Sequence, residues 1–152
     1  MGTGRVTPSE GSWPIGVEDG YLEDRELVAL AAEARSNAHA PYSHYKAGAA
    51  LLTSSGMVYT GCNVENAAYG LTICAEQVAV VKAVSDGESD FVAVAVVTEN
   101  GGTPCGACRQ VLNEFGPDMR ILVADASGEY RVYGLRDLLP DSFGPSQLEG
   151  AS

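Results

Sequence analysis

Basic residues are scarce in this sequence. Its 152 residues include nine lysines and arginines against twenty aspartates and glutamates, which gives a formal net charge of -11. A protein that binds nucleic acid needs a positively charged surface to face the phosphates. No cluster of lysine or arginine stands out along the chain. The composition therefore argues against a nucleic-acid partner.

Long apolar runs are also missing. The longest strongly apolar stretch, residues 91–97, is far shorter than the roughly 20 residues of a membrane-spanning helix. Residues 1–20 contain no apolar segment that could serve as a secretory signal. We therefore expect no membrane partner and a cytoplasmic protein. In that reducing compartment, closely spaced cysteines more often bind metal or do redox chemistry than form disulfides.

Only four cysteines are present, and two of them belong to the sequence Pro-Cys-Gly-Ala-Cys at residues 104–108. Cys105 and Cys108 lie three residues apart at the predicted start of a helix, so both sulfurs can reach one metal ion. Cys74 stands at the start of another predicted helix, where the partial positive charge favours a thiolate. Three thiolates around zinc leave a fourth tetrahedral position for water, as in catalytic zinc sites.

Two further residues distinguish a catalytic from a structural zinc site. If Cys62 were the fourth ligand, the site would be closed and would only stabilise the fold. Glu76 favours the catalytic interpretation, because it follows Cys74 by two residues on the same helical turn. From there its carboxylate can accept a proton from a water that the metal activates. A structural zinc site has no need of such a group.

The rest of the chain predicts one α/β domain in which helices pack on a sheet. The segment over 74–87 is apolar nearly all round, which predicts a central helix. Only a short turn separates the last two strands, so they must be antiparallel. The predicted elements are a helix over 24–40, a hairpin over 47–62, a helix over 74–87, a strand over 91–99, a helix over 106–115, strands over 120–126 and 129–134, and a short helix over 135–140.

The domain boundaries follow from composition. We expect a flexible N-terminal tail over residues 1–20, because that stretch is rich in glycine, proline, serine and acidic residues without periodicity. The folded domain is expected over residues 21–145, and a C-terminal tail over residues 146–152.

Four stretches together resemble the small homotetrameric cytidine deaminases. They are APYSHYKAGAALL, GCNVENAAYGLTICAE, PCGACRQVLNEF and LLPDSF, and the second and third contain the three-cysteine form of the zinc deaminase signature. The resemblance covers residues 22–143. It implies a three-layer α/β/α fold with a mixed five-stranded sheet whose last strand pair is antiparallel. It also implies that a zinc-dependent homotetramer hydrolyses cytidine and deoxycytidine to uridine and deoxyuridine in pyrimidine salvage.

The resemblance further implies a role for each matching residue. Cys74, Cys105 and Cys108 would bind zinc, and Glu76 would be the catalytic proton shuttle. In the substrate site, Asn63 and Glu65 would bind the ribose, Tyr45 would stack on the pyrimidine where the family usually has Phe, and backbone groups of Ala67 and Ala75 would face the base edge. Active sites are expected at subunit interfaces, where the neighbouring subunit would contribute Asn66, Tyr69 and Phe143.

Two residues beside the cysteines are expected to adjust the charge on the metal. Zinc with three thiolates carries a net negative charge, which opposes ionisation of water unless hydrogen bonds withdraw charge from the sulfurs. Arg109 is a candidate donor. Many three-cysteine relatives have a second arginine where this chain has Gln77, and an amide can donate a hydrogen bond but brings no charge.

Two alternatives to a nucleoside deaminase remain open from the sequence. The first is a deaminase of a cytosine nucleoside antibiotic such as blasticidin S, because relatives with the same zinc motif act on such compounds. The second is a non-catalytic module stabilised by zinc, in which Cys62 closes the site.

Overall fold

The computed structural model describes residues 15–16 and 22–149, and within them it contains six strands and four α-helices. The strands are β1 (Ile15–Gly16), β2 (Gly48–Thr53), β3 (Met57–Cys62), β4 (Phe91–Val97), β5 (Arg120–Ala124) and β6 (Tyr130–Gly134). The α-helices are α1 (Asp24–Arg35), α2 (Ala75–Ser85), α3 (Gly106–Phe115) and α4 (Leu135–Leu138). Single turns of 3-10 helix lie at Tyr69–Leu71 and Pro145–Gln147.

One mixed sheet forms the middle of the domain, with strand order β1-β3-β2-β4-β5-β6. Only β4 and β5 are parallel, and α3 makes the crossover between them. The final pair, β5 and β6, is antiparallel from Arg120 opposite Gly134 to Ala124 opposite Tyr130. The predicted five-stranded mixed sheet with an antiparallel last pair is therefore confirmed.

The short strand β1 adds a sixth member at the outer edge of β3, where its residues pair with Val58 and Met57. Two residues are too few to produce a periodic pattern, so the sequence did not reveal this strand. Apart from Ile15–Gly16, the predicted N-terminal tail over 1–20 lies outside the described residues. The same holds for residues 150–152 of the predicted C-terminal tail.

The sheet separates two apolar cores, which makes three layers. On one face, α1 buries Leu27, Val28, Leu30 and Ala31 against alternate residues of the strands, such as Leu122. On the other face, α2 and α3 pack on the intervening residues, and the side chains buried there include Ala79, Val80, Leu112, Val94 and Ile121. Successive strand residues point to opposite faces, so each of the central strands contributes to both cores.

Two glycines let helices approach the sheet closely. A Cβ atom built on Gly61 would lie 2.4 Å from the carbonyl oxygen of Ala75, the first residue of α2. A Cβ atom on Gly48 would lie 2.1 Å from the carbonyl oxygen of Ala31 in α1. No side chain fits into either gap. The contact at Gly61 holds the N-terminus of α2, and with it Cys74, against the end of β3.

Helix α1 is shorter than the sequence predicted. It ends at Arg35, whereas helical spacing suggested continuation to residue 40. The backbone of His39 instead pairs with the segment after β3: its amide donates to Asn63, and its carbonyl accepts from Glu65. Such long-range pairing competes with continuation of the helix, and the spacing of apolar residues in the sequence does not reveal it.

Helix α2 is buried on one side only in the single chain. Its inner face includes Ala79, Val80 and Ala83, while Val81 and Val84 are exposed. The prediction of a central helix is therefore wrong for the single chain, because two of the apolar residues behind it, Val81 and Val84, are exposed. Among the described residues, no helix combines the length and the hydropathy that crossing a bilayer requires.

Candidate active site

The starts of α2 and α3 bring three cysteines together. Cys74 and Cys105 are the N-cap residues of α2 and α3, with extended backbones. Their carbonyl groups accept the first helical hydrogen bonds, from Val78 and Arg109 respectively. Cys108 lies in the first turn of α3 and is buried. At such positions the free backbone amides and the helix dipoles favour negatively charged sulfur.

The spacing of the sulfurs suits a tetrahedral zinc ion. The Sγ atoms of Cys74 and Cys105 are 4.0 Å apart, those of Cys105 and Cys108 are 3.5 Å apart, and all three lie within 4.8 Å of one another. Zn–S bonds of about 2.3 Å at tetrahedral angles place two sulfurs about 3.8 Å apart. Thiolates are also the ligands that select zinc over the harder cations. The cluster therefore fits the predicted ion.

Cys62 does not belong to this cluster. It ends β3 opposite Gly48 and remains a separate, partly buried thiol. Within the described part of the chain, the only group of cysteine, histidine or acidic side chains close enough to share an ion is the set of three cysteines. Cys62 is therefore not positioned to be the fourth ligand of a closed, four-cysteine site.

Glu76 lies on the first turn of α2 with only 5% of its surface exposed. Burial raises the pKa of its carboxyl, while hydrogen bonds from its own backbone amide and from the Cys108 thiol oppose that rise in pKa. The carboxyl therefore contacts one of the three cysteines, in surroundings where it holds a proton at higher pH than an exposed glutamate. Both properties suit a group that accepts and returns protons.

The thiols influence one another strongly. A hydrogen bond from Cys108 is the main reason why the pKa of Cys74 falls to about 7, although burial and the nearby Glu76 oppose the shift. The same hydrogen bond, followed by burial, raises the pKa of Cys108. Without metal, Cys74 therefore ionises more readily than Cys108, and binding of a metal would displace the remaining protons.

Gln77 and Arg109 contact different groups. The Gln77 side-chain amide donates to the Cys108 sulfur at 3.7 Å, as expected for a donor that withdraws charge from a ligand. The guanidinium of Arg109 donates instead to the carbonyl oxygens of Pro104 and Leu138, both at 2.7 Å, and to Thr103 at 3.1 Å. Arg109 therefore differs from expectation: it braces the loop before Cys105 and does not reach a sulfur.

The predicted ribose residues are joined to the cluster through the backbone. Val64, between Asn63 and Glu65, exchanges two hydrogen bonds with Ile73, the residue before Cys74. Asn63 accepts from the Ala47 amide at 2.9 Å through its side-chain oxygen, and its side-chain nitrogen donates to the carbonyl oxygen of Tyr45 at 2.8 Å. These bonds fix the orientation of the Asn63 amide.

Glu65 is held by a residue that the sequence did not single out. The Ser43 hydroxyl and amide donate to its carboxylate at 2.5 and 3.1 Å, and the Tyr42 amide donates at 2.9 Å. These bonds, the Ser43 hydroxyl above all, hold the pKa of Glu65 below its ordinary value. Only its position two residues before Tyr45 could have drawn attention to Ser43 beforehand.

The other predicted contact residues differ in exposure. Tyr45 exposes 42% of its surface, Ala67 is exposed, and Ala75 is buried at the start of α2. The whole Ala75 residue, backbone included, is 0% exposed, so the role predicted for its backbone groups stays a prediction.

The three residues predicted to serve a neighbouring subunit are all exposed. Tyr69 exposes 74% of its surface and Phe143 57%, and the Asn66 side chain accepts from the Ala68 amide. The backbone of Phe143 is nonetheless anchored, because its carbonyl accepts from Gln110 at 2.9 Å and from Asn113 at 3.1 Å, both on α3. The helix that carries Cys108 thus also presents the Phe143 ring outward.

Comparison with known proteins gives a consistent result. Cytidine deaminase from Sporosarcina psychrophila is 42% identical over 86% of this chain and 98% of its own length. The corresponding enzyme from Halalkalibacterium halodurans is 46% identical over 80% and 95%. Among solved structures, cytidine deaminase from Burkholderia pseudomallei superposes with a TM-score of 0.77 at 47% identity, covering 80% of this chain and 100% of that chain.

The family model described as the cytidine and deoxycytidylate deaminase zinc-binding region matches residues 22–124. That span contains Cys74, Cys105, Cys108 and Glu76. The cluster of sulfurs, the buried carboxyl beside it and the three comparisons agree: the chain belongs to this zinc-binding deaminase family.

Proposed function

We propose that this protein hydrolyses cytidine and deoxycytidine to uridine and deoxyuridine, releasing ammonia, as a zinc-dependent enzyme of pyrimidine salvage. The observation that carries the proposal is the buried Glu76 carboxyl in contact with Cys108, one of three cysteines whose sulfurs fit a zinc ion. A metal site that served only the fold would not need a buried carboxyl there. The names of the relatives support the substrate class.

The proposed ligands are Cys74, Cys105 and Cys108. Zinc, when bound, supplies the Lewis acid that makes water acidic enough to attack C4 of cytosine. Gln77 stabilises the negative charge of the ligands through its hydrogen bond to Cys108. Arg109 keeps the loop before Cys105 in place through its bonds to Pro104 and Leu138.

Glu76 moves two protons in the proposed reaction. It takes the first from the attacking water and delivers it to ring N3 as the C4–O bond forms. It then takes the proton of the new hydroxyl group and delivers it to the amino group. The C4–N bond breaks, ammonia leaves, and uridine keeps the proton on N3. The raised pKa of the buried carboxyl suits both the accepting and the donating step.

Nucleoside recognition is proposed for residues whose side chains are already oriented. Glu65 is charged and held by Ser43, and it can accept hydrogen bonds from ribose hydroxyls. Asn63 is fixed by Ala47 and Tyr45. The Tyr45 ring would stack on the pyrimidine, and backbone groups of Ala67 and Ala75 would face its polar edge.

We also propose that the enzyme is a cytoplasmic homotetramer in which Asn66, Tyr69 and Phe143 enter a neighbouring subunit's site. The exposed apolar side chains of Tyr69, Phe143, Val81 and Val84 support assembly, since a single chain leaves about two-fifths or more of each residue's surface in contact with solvent. The four free thiols suit a reducing compartment. Light scattering should give about four times the chain mass of 15.8 kDa.

The test of the proposed reaction is ultraviolet absorbance of cytidine during incubation with zinc-loaded protein, together with an assay for released ammonia. We expect the cytidine spectrum to change to that of uridine, with one ammonia for each nucleoside. Deoxycytidine should react as well. Conversion of blasticidin S without conversion of either nucleoside would replace the proposed substrate by the antibiotic.

A further inference from the structure

Tyr45 is held by hydrogen bonds both at its backbone and at the hydroxyl of its side chain. Its amide donates to the Ser43 hydroxyl at 3.0 Å, and its carbonyl accepts from Asn63 at 2.8 Å. At the far end of the ring, the hydroxyl donates to the side-chain oxygen of Asn100 at 2.9 Å. Stacking on a base needs only the aromatic ring. The stacking role proposed for Tyr45 therefore does not by itself require the hydrogen bond between its hydroxyl and Asn100.

The loop that carries Asn100 is shaped around this hydroxyl. The Gly102 amide donates to the buried Thr98 side chain at 2.8 Å, which turns the loop back on itself, and Gly101 has a φ of +70°. A Cβ atom on Gly102 would lie 2.7 Å from the Tyr45 hydroxyl oxygen. The hydroxyl therefore occupies the space that a side chain at position 102 would fill.

The same loop leads directly to a proposed metal ligand. Only Thr103 and Pro104 separate Gly102 from Cys105, and Arg109 braces this segment through Pro104. The Tyr45–Asn100 hydrogen bond thus connects the segment of the proposed ribose residues with the segment of the metal ligands. A half-exposed aromatic ring without such a bond would lose rotational freedom each time it stacked on a ligand.

We propose that Asn100 is a positioning residue that holds the Tyr45 ring in its stacking orientation before the nucleoside binds. Asn100 acts through Tyr45 and makes no contact with the reacting atoms in this account. The inference rests on the proposed function, because it assigns the bond a purpose in nucleoside binding. It also explains how a tyrosine serves at a position where related enzymes usually have phenylalanine: the loop supplies an acceptor for the extra hydroxyl.

The test is a double-mutant cycle on the zinc-loaded enzyme with Tyr45→Phe, Asn100→Ala and both together. Each single variant should raise KM for cytidine about two- to tenfold, the range expected from loss of one hydrogen bond, and leave kcat unchanged. The double variant should be no worse than the weaker-binding single variant, because both changes remove the same bond. Tyr130→Phe, on the far edge strand β6, serves as the control and should not change KM.

The possible outcomes distinguish a positioning role of Asn100 from a purely structural one. Unchanged KM in both single variants of an active enzyme overturns the inference, even if their melting temperatures fall, because a purely structural bond would change stability alone. Additive effects on KM overturn it too, since they would mean that the two side chains act separately. A wild-type protein that holds zinc but leaves cytidine unchanged overturns the proposed function, and this inference with it.

Discussion

Glu76 exposes 5% of its surface, whereas Tyr69, on the segment that leads to it, exposes 74%. The contrast separates two parts of the candidate site. The metal end, made of Glu76 and the three clustered cysteines, is complete within one chain. The rim, made of Tyr69 and Phe143, consists of mostly exposed aromatic rings. The Tyr69 ring makes an edge contact with the Tyr42 ring, and the Phe143 backbone is held by Gln110 and Asn113.

The difference teaches which tasks of the proposed reaction a single chain can perform alone. Metal binding and proton transfer depend on short distances, and two helix starts packed on one sheet set those distances. Enclosing a nucleoside needs apolar surface on its far side, and here that surface faces outward. We therefore expect changes at the metal end to abolish chemistry and changes at the rim to weaken binding.

The largest effect is expected at the metal end. Cys105→Ser should remove stoichiometric zinc and all measurable deamination, because serine is a poor ligand for zinc beside two thiolates. Metal analysis of the purified protein and the cytidine assay measure both. Cys62→Ser is the matched control and should keep zinc and activity, since Cys62 lies outside the cluster. Loss of zinc from the control would restore the four-cysteine interpretation.

The rim should give the next largest effect. Phe143→Ala is expected to raise KM for cytidine about tenfold with a small change in melting temperature, because the ring is mostly exposed in its own subunit. Leu148→Ala removes another exposed apolar side chain outside the motif and should leave KM near its wild-type value. An equal effect on KM from both changes, or none from Phe143→Ala, would show that the Phe143 ring has no part in binding cytidine.

Glu65 connects the two parts, and its pKa supplies a pH prediction. Hydrogen bonds hold that pKa below the ordinary value of 4.5, so the carboxylate stays charged until the pH falls below that value. KM for cytidine should therefore be flat between about pH 8 and pH 5 as far as Glu65 is concerned. Glu65→Gln should raise KM about tenfold across this range, while Glu88→Gln, the same change at a carboxylate that accepts from Ser55, should not. A rise in wild-type KM at pH 6 that Glu65→Gln abolishes would show that the pKa is not lowered.

The smallest effect on deamination is expected at Gln77, which contacts a metal ligand but is not itself a proposed ligand. Its amide donates to the Cys108 sulfur, and loss of such a bond to a metal ligand commonly reduces metal affinity about ten- to a hundredfold. Gln77→Ala should therefore lose zinc at lower chelator concentration, near the lower end of that range because the amide is neutral. Gln110→Ala changes an amide that contacts the Phe143 carbonyl and should retain zinc normally. Equal chelator sensitivity in wild type and Gln77→Ala would remove Gln77 from the metal environment.

The metal end could be predicted from the sequence because its determinants are local. Cys105 and Cys108 are three residues apart, and Cys74 and Glu76 are two apart, so helical geometry alone places each pair on one turn. The buried strands could be predicted equally well, because continuous apolar runs indicate them. The antiparallel last pair could be predicted because the turn between its strands is too short for a crossover.

What the sequence could not supply is long-range pairing. The early end of α1 at Arg35 comes from the pairing of His39 with Asn63 and Glu65. The partners of Arg109 depend on where the chain returns near Leu138, and the approach of α2 depends on Gly61 facing Ala75. Each of these contacts joins segments that only the folded topology brings together.

The central claim is that the cysteine cluster and Glu76 together carry out hydrolytic deamination. The measurement that tests it most directly is the initial rate of cytidine conversion by wild type and by Glu76→Gln, each with its zinc content determined. We predict one zinc per chain in both, and a rate in Glu76→Gln lower by at least roughly a hundred- to ten-thousandfold, the usual contribution of proton transfer. A zinc-loaded Glu76→Gln that converts cytidine at a rate near that of wild type would contradict the account.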